Sequence, residues 1–252
     1  MAKISNYANK PVDYYCNKLT NQQEIFVATL THDLKNVVIA QISSMEMLLK
    51  GSFGSLNLEQ TNILDLLIES SKYMQDMILT LLDTYKYENG SIHLEKENFN
   101  LKEIVEHCIQ ETYSLSLDKN LKITYVSDDE KLNADKRQIR RVISNLLNNA
   151  INYGFKNSEI KLKSYTKNKK IIFICESTSP IIAEDVKEHI FEKYVCESQK
   201  YEKIGFGLGL YLARKIVEAH QGRIYLDANG FQNKFIFEIP INSGKDYSQI
   251  IW

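Results

Sequence analysis

The residues best suited to chemistry lie in four short clusters. The first is His32-Asp33-Leu34-Lys35-Asn36. An imidazole on the surface of a rigid helix is a usable nucleophile. Asp33 beside it can hold one ring nitrogen or take its proton, leaving the other lone pair free. Asn36 falls one turn later on the same helical face, where an amide can orient a water for in-line hydrolysis. Taken alone, a surface His beside an Asp is ordinarily a solvated pair, so the cluster needs company.

The second cluster supplies it. Residues 141–153 read RVISNLLNNAINY, with Asn145 and Asn149 one turn apart and opposed to an apolar stripe. Two carboxamides so placed offer oxygens to a hydrated Mg²⁺ and donors to phosphate. Four asparagines in eight residues lower helix propensity, which calls for a compensating role. The third cluster is Gly205-Phe206-Gly207-Leu208-Gly209. Glycines ahead of a helix let backbone N–H groups come close to a phosphate. No strand precedes them, as a dinucleotide fingerprint would require. The polar stretch 192–204 just before reads as a lid. The fourth cluster, Cys175-Glu176-Ser177-Thr178-Ser179-Pro180, ends a strand pattern. A carboxylate there can accept a hydrogen bond from an adenine amine; the bland alternative is a simple turn.

Two kinds of element must position these clusters. From about 21 to 50 the chain contains no Gly or Pro, and Phe26, Leu30, Leu34, Val37, Val38, Ile42, Met45 and Leu49 recur at helical steps. After the turn signal GSFGSLN (51–57), a second helix is expected over 58–87, with Ile63, Leu66, Leu67, Met74, Met77, Ile78 and Leu81 on its stripe. A short loop between helices roughly 45 Å long makes an antiparallel hairpin. Two helices cannot cover stripes this wide, and pairing two hairpins into a dimeric four-helix bundle covers them. The alternative is packing of the hairpin on the C-terminal half of its own chain.

After Asn89-Gly90 the pattern changes. A helix over 101–117, a strand over 121–126, a helix capped by Asp135 and running to about 153, strands near 159–165 and 170–175, helices near 184–191 and 208–220, and strands near 223–227 and 234–239 make an α/β sandwich, with helices on one face of a mixed sheet. The expected organisation is a lead-in (1–20), a helical hairpin (21–95), an α/β domain (96–245) and a tail (246–252).

Composition narrows the classes further. Lys and Arg number 31 against 32 Asp and Glu, so no excess of positive charge exists to drive nucleic-acid binding by counterion release. The four cysteines, Cys16, Cys108, Cys175 and Cys196, show no C-x-x-C spacing. They read as free thiols in a reducing compartment rather than as zinc ligands or a disulfide framework. No apolar run of about 18 residues occurs and the N-terminus has no signal-peptide core, so the expected location is cytoplasmic.

Order and spacing together are more specific than any one cluster. Over about residues 20–241 the sequence resembles the two-component sensor histidine kinases. Residues 32–36 look like the H box, Asn145 to Asn149 like the N box, Phe191 to Tyr194 like the F box and Gly205 to Leu210 like the G2 box. GSLNLEQ (54–60) and the stretch from Leu81 to Phe99 also resemble the second bundle helix and the join after it. The resemblance implies a dimerization and histidine-phosphotransfer hairpin followed by a Bergerat-type ATP-binding domain, the fold shared with gyrase and MutL. It implies His32 as phosphoacceptor, Asp33 as its acidic partner and Asn36 as the residue aiding dephosphorylation of the partner. Asn145 and Asn149 would hold Mg²⁺-ATP, Tyr153 would sit beside the adenine, and Gly205, Gly207 and Gly209 would face the phosphates. The implied activity is autophosphorylation of His32, then transfer to an aspartate on the receiver domain of a separate response regulator. The signal would come from an upstream sensor protein, or the chain is a core cut from something longer.

Two departures from the family pattern stand out. Val37 occupies the usual place of a helix-kinking proline, which implies a straighter helix. The Asp-x-Gly-x-Gly pattern of the G1 box is replaced by Glu176-Ser177-Thr178-Ser179-Pro180. Glu176 keeps a carboxylate, but Thr178 and Pro180 lose backbone freedom, so side chains are expected to crowd the nucleotide and weaken ATP. A second reading follows: a kinase-deficient member acting as a response-regulator phosphatase, or as a non-catalytic regulator-binding scaffold.

Overall fold

A computed structural model describes residues 12–89, 93–128, 131–195 and 207–241, with side chains from Val27 onward except Ala28. The chain divides into two compact units, Met1–Ser91 and Ile92–Trp252.

The first unit is the helical hairpin. Helix α1 spans Val12–Leu49 as one unbroken helix, starting well before residue 21, and α2 spans Leu58–Glu88. With Val in place of proline at 37, every backbone donor in that turn is available to the helix. Gly51, at φ +75°, ends α1. Asn57 starts α2 with a reciprocal cap: its Oδ1 accepts from Gln60 N at 2.8 Å, and Gln60 Oε1 accepts from Asn57 N at 2.9 Å.

The wide stripe expected on each helix resolves into two adjacent rows of period 3.5. On α2, Leu64, Ile68, Ser71, Gln75, Ile78 and Leu82 are buried or half-buried against α1. Ile63, Leu67, Met74 and Leu81 form the second row and remain exposed. On α1, Thr31, Val38, Ile42, Met45 and Leu49 turn inward, while Leu30, Leu34 and Val37 stay outside. One row closes the hairpin. The other is an uncovered apolar seam in which Leu34 is 45%, Leu67 49% and Val37 58% exposed. Phe26 lies outside the described side chains.

The second unit is the α/β sandwich. Strand β1 (Lys96–Asn100) leads into α3 (Leu101–Glu111) and α4 (Tyr113–Asp118). Strands β2 (Lys122–Ser127) and β3 (Lys131–Asp135) precede α5 (Lys136–Tyr153). Then come β4 (Glu159–Lys167), β5 (Lys170–Thr178), α6 (Glu184–His189), α7 (Gly209–Ala219), β6 (Arg223–Asn229) and β7 (Gln232–Pro240). The main sheet has the order β2-β4-β5-β7-β6. Its β2/β4 pair is parallel and the other pairs are antiparallel. Helices α5 and α7 pack on each other and on one face of this sheet. The core forms there from Ile139, Val142, Ile143, Leu146 and Leu147 of α5, Leu212 and Ile216 of α7, and the stacked rings of Phe173 and Phe237, 5.1 Å apart.

Period two decides which strand residues meet the helices. On β5, Ile171, Phe173, Cys175 and Ser177 are buried, and Cys175 Sγ lies 3.7 Å from Leu146 O of α5. Burial pushes that thiol up to about 12, so it is an inert core group. Ile172, Ile174, Glu176 and Thr178 therefore take the opposite, open face.

The β1/β3 ribbon and the break at Thr112 between α3 and α4 depart from the sequence expectation. Lys96-Glu-Asn-Phe-Asn100 has one apolar residue and no alternation. Its strand form comes from pairing, with Phe99 opposite Leu132. Asp135 fastens the ribbon to α5. As expected it caps that helix, Oδ1 accepting from Gln138 N at 3.1 Å, while Oδ2 accepts from Glu95 N at 3.1 Å.

The Asp135 N–H donates to Nε2 of His220 at 3.0 Å, and His220 Nδ1–H donates to Ile216 O at 2.8 Å. This buried imidazole is held neutral, and desolvation depresses its pKa below the ordinary 6.5. The unfolded chain takes up the proton near 6.5 while the folded chain resists, so stability is full above that value and falls as the pH drops below it. The loss is at most about 1.4 kcal/mol per pH unit. Urea unfolding between pH 7.5 and 5.5 should show this slope, and His220→Gln, which cannot titrate, should flatten it.

Candidate functional site

His32 stands on the exposed surface of α1, its side chain 71% accessible. Its Nδ1 lies 3.4 Å from Asp33 Oδ1. The Asn36 amide nitrogen is 3.3 Å from Nδ1 and 3.4 Å from Nε2. These contacts are long, as befits solvated side chains. With the Nδ1–H turned toward Asp33, the lone pair sits on Nε2, open to an incoming electrophile. All three residues expected for the chemistry are thus brought together on the exposed side of α1, His32 lying about 200° around the helix from both Leu30 and Leu34.

In the second unit the expected group assembles in part. Asn145, Asn149 and Tyr153 occupy one half-buried flank of α5, away from its core stripe. The Asn145 amide nitrogen donates to Gly209 O at 3.0 Å and ties α5 to the first residue of α7. Among the described residues its oxygen has no hydrogen-bond partner. Asn149 has no side-chain hydrogen bond among the described residues. The donor set, neutral carboxamide oxygens near a helix start, fits a cation that keeps most of its own waters, such as Mg²⁺. Among the described residues no cluster of His, Cys, Asp and Glu forms a protein cage for a metal. The C-terminal end of α5 is held by Lys119, whose ammonium donates to the carbonyls of Ile151 and Asn152. Sequence reading gave no sign of this clamp, because Lys119 lies in a distant loop.

Gly207 has φ +63°, and its carbonyl accepts from Tyr194 N at 3.0 Å. A Cβ at Gly207 would fall 2.6 Å from the backbone of Tyr194 and Val195, so both the conformation and the space demand glycine. Gly205, Cys196 and most of the expected lid lie outside the described residues, as does the side chain of Cys16. The F-box ring Phe191 meets Phe235 of β7 edge-on at 6.2 Å, which brings this segment over the helix-facing side of the sheet.

Glu176 is the exception. It pairs in register with Lys161 and Lys234 on the open face and lines a cavity of about 160 Å³ there with Asp227, Asn229, Gln232 and Lys234. The sheet thus separates it from Asn145 and Asn149. Thr178 faces the same way, its hydroxyl accepting from Gln232 at 3.0 Å, so it does not crowd the α5 side. Strand parity explains both: with Cys175 and Ser177 committed to the core, residues 176 and 178 must point out.

Two family models match this chain. Residues 22–90 match the His Kinase A (phospho-acceptor) domain, and residues 134–243 match the histidine kinase-, DNA gyrase B-, and HSP90-like ATPase. The sensor histidine kinase GlrK of Escherichia coli K12 is 29% identical over 88% of this chain and 47% of its own length. The adaptive-response sensory kinase SasA of Crocosphaera subtropica is 29% identical over 85% and 58% respectively. The sensor protein KdpD of Clostridium acetobutylicum is 26% identical over 84% and 24%. Among solved structures, the catalytic domain of histidine kinase ThkA is 31% identical, with a TM-score of 0.54, covering 58% of this chain and 96% of that one. Full-length ShkA in complex with AMPPNP shares the fold, with a TM-score of 0.72 at 19% identity over 87% of this chain and 46% of that one.

A phospho-acceptor hairpin joined to an ATPase-type α/β unit defines the class. The chain belongs to the two-component sensor histidine kinases. It spans about a quarter to three fifths of the length of these curated relatives. No helix among the described residues is long and apolar enough to cross a membrane.

Proposed function

We propose that this chain is the catalytic core of a protein-histidine kinase that phosphorylates its own His32 from Mg²⁺-ATP and passes the group to an aspartate of a response-regulator receiver domain. The observation that carries the reading is His32 itself, exposed on a rigid helix with Asp33 and Asn36 at contact range of its ring nitrogens. Nε2 attacks the γ-phosphorus in line. The N–P bond forms as the bond to the β–γ bridging oxygen breaks, and ADP leaves. Asp33 stabilises the ring as positive charge develops and receives the Nδ1 proton. Asn145 and Asn149 hold the nucleotide and its Mg²⁺, which neutralises charge on the phosphates. Tyr153 lies beside the base, and the Gly207 turn offers backbone N–H groups to phosphate. Asn36 orients water when the phosphorylated regulator is hydrolysed.

The test is incubation of the purified chain with γ-labelled ATP and Mg²⁺. Label retained in alkali and lost in acid, as an N–P bond requires, supports the reading. No label at saturating nucleotide overturns it.

The exposed seam supports a homodimer as the working form, two hairpins burying their Leu34, Val37, Leu67 and Met74 rows together in a four-helix bundle. Placing charges in the seam with Leu34→Glu and Leu67→Glu should shift the sedimentation mass from twice that of the chain to that of one chain. A dimer that survives both substitutions would show that the seam is not the interface.

A further inference from the structure

Asn233 on β7 is a core polar group that the fold leaves half used. It is 1% exposed and stands in register with Ser177 on the helix-facing side of the sheet. Its amide nitrogen donates to Ser179 Oγ at 2.6 Å and to Pro180 O at 3.1 Å. A proline carbonyl can only accept, so the nitrogen must be the atom that faces it. Oδ1 is thereby turned away from the turn, and it is buried without a hydrogen-bond partner among the described residues. Buried acceptors are nearly always satisfied, so this oxygen calls for a donor that the described residues do not supply. This oxygen lies on the side of the sheet where Phe191 meets Phe235, the side that also carries α5 and α7. Glu176 lies on the other side.

We propose that Asn233 Oδ1, rather than Glu176, receives the hydrogen bond from the base of the bound nucleotide, taking the exocyclic amine of adenine. The inference rests on the reading that α5 and the Gly207 turn hold a nucleotide. A neutral amide oxygen suits a neutral amine donor at a dry site, where a carboxylate would resist losing its water. It also confers selectivity. A base with a carbonyl at that position would set acceptor against acceptor and leave both unpaired. Because the same amide pins Ser179 and Pro180, the turn that replaces the glycine-rich pattern and the recognition of the base are coupled through one side chain.

The experiment is calorimetric titration of the full chain with Mg²⁺ and either ATP or purine riboside triphosphate, which lacks only the amine. The wild type should favour ATP by roughly tenfold, the worth of one buried hydrogen bond. Asn233→Val, a strand former of similar size, should bring the two affinities together, and Asn233→Ala should do the same. Glu176→Gln should keep the preference. Equal affinities in the wild type, a preference that survives in Asn233→Val, or one that vanishes in Glu176→Gln would each overturn the assignment while leaving the nucleotide site standing. A wild type that binds neither compound would overturn the nucleotide reading, and this assignment with it.

Discussion

With His32 replaced by Gln, incubation with labelled ATP and Mg²⁺ should leave no acid-labile label on the chain, while nucleotide affinity stays at the wild-type value. The two halves of this result come from separate units. Gln is close to His in length and polarity, is a good helix former and sits at an exposed position, so α1 and the hairpin should be undisturbed. What it lacks is a nitrogen lone pair able to attack phosphorus, because an amide nitrogen's electrons are delocalised into its carbonyl. Neither Asp33 nor Asn36 can substitute: the one is a carboxylate held against the ring, the other an amide. Asp33→Asn should be milder, leaving slow labelling, since the nucleophile survives and only the stabilisation of the charged ring is lost. An effect of general acid–base size, about a hundredfold or more, is expected. Label persisting on the His32→Gln chain would place the phosphoacceptor elsewhere.

The parts of this molecule that were legible in the sequence are those whose signal is local. The hairpin announced itself through helical periodicity and the Gly51–Gly54 turn, and His32, Asp33 and Asn36 needed only helical geometry to fall on one face. Helix α5 was equally plain, because its apolar stripe and the Asp135 cap are written in consecutive residues. What stayed hidden depended on partners distant in sequence. The β1/β3 ribbon has too few apolar residues to read as strand and exists by pairing. The two heptad rows of α1 and α2 looked like one wide stripe until the burial of Val38, Ile68 and Ile78 distinguished the row that closes the hairpin from the row left open. Glu176 was misplaced for a simpler reason. A carboxylate at a strand end looks like a ligand for a base, but its direction depends on whether odd or even positions of β5 meet α5. That parity was available in principle: Ile171, Phe173 and Cys175 are odd, and so are Phe235, Phe237 and Ile239 opposite. The same alternation marks Asn233 as a polar residue at an inward position, a signal that the Thr178–Pro180 departure obscured.

Gly207→Ala should weaken nucleotide binding by disturbing the turn ahead of α7. Two independent penalties meet at this position. The left-handed backbone conformation at φ +63° is open to glycine but costs an L-residue about 1–2 kcal/mol. The new Cβ would also lie 2.6 Å from the carbonyl carbon of Tyr194 and 2.6 Å from the nitrogen of Val195. Both are backbone atoms, so no side-chain rotation relieves the overlap, and one of the two segments must move. Movement breaks the bond from Tyr194 N to Gly207 O, the tie between the F-box segment and the start of α7. The Gly209 carbonyl, which receives the Asn145 amide, follows two residues later, so displacement of this turn carries over to the asparagine flank of α5. The expected outcome is a fall in ATP affinity of roughly tenfold or more, against a thermal unfolding midpoint lowered by only a few degrees. Gly209→Ala is the control. An added Cβ there meets nothing closer than 3.8 Å, at Asn145 Cγ, so it should bind nearly as the wild type does. If Gly207→Ala binds as tightly as Gly209→Ala, the turn has no part in holding the nucleotide, and the phosphate-facing role proposed for it fails.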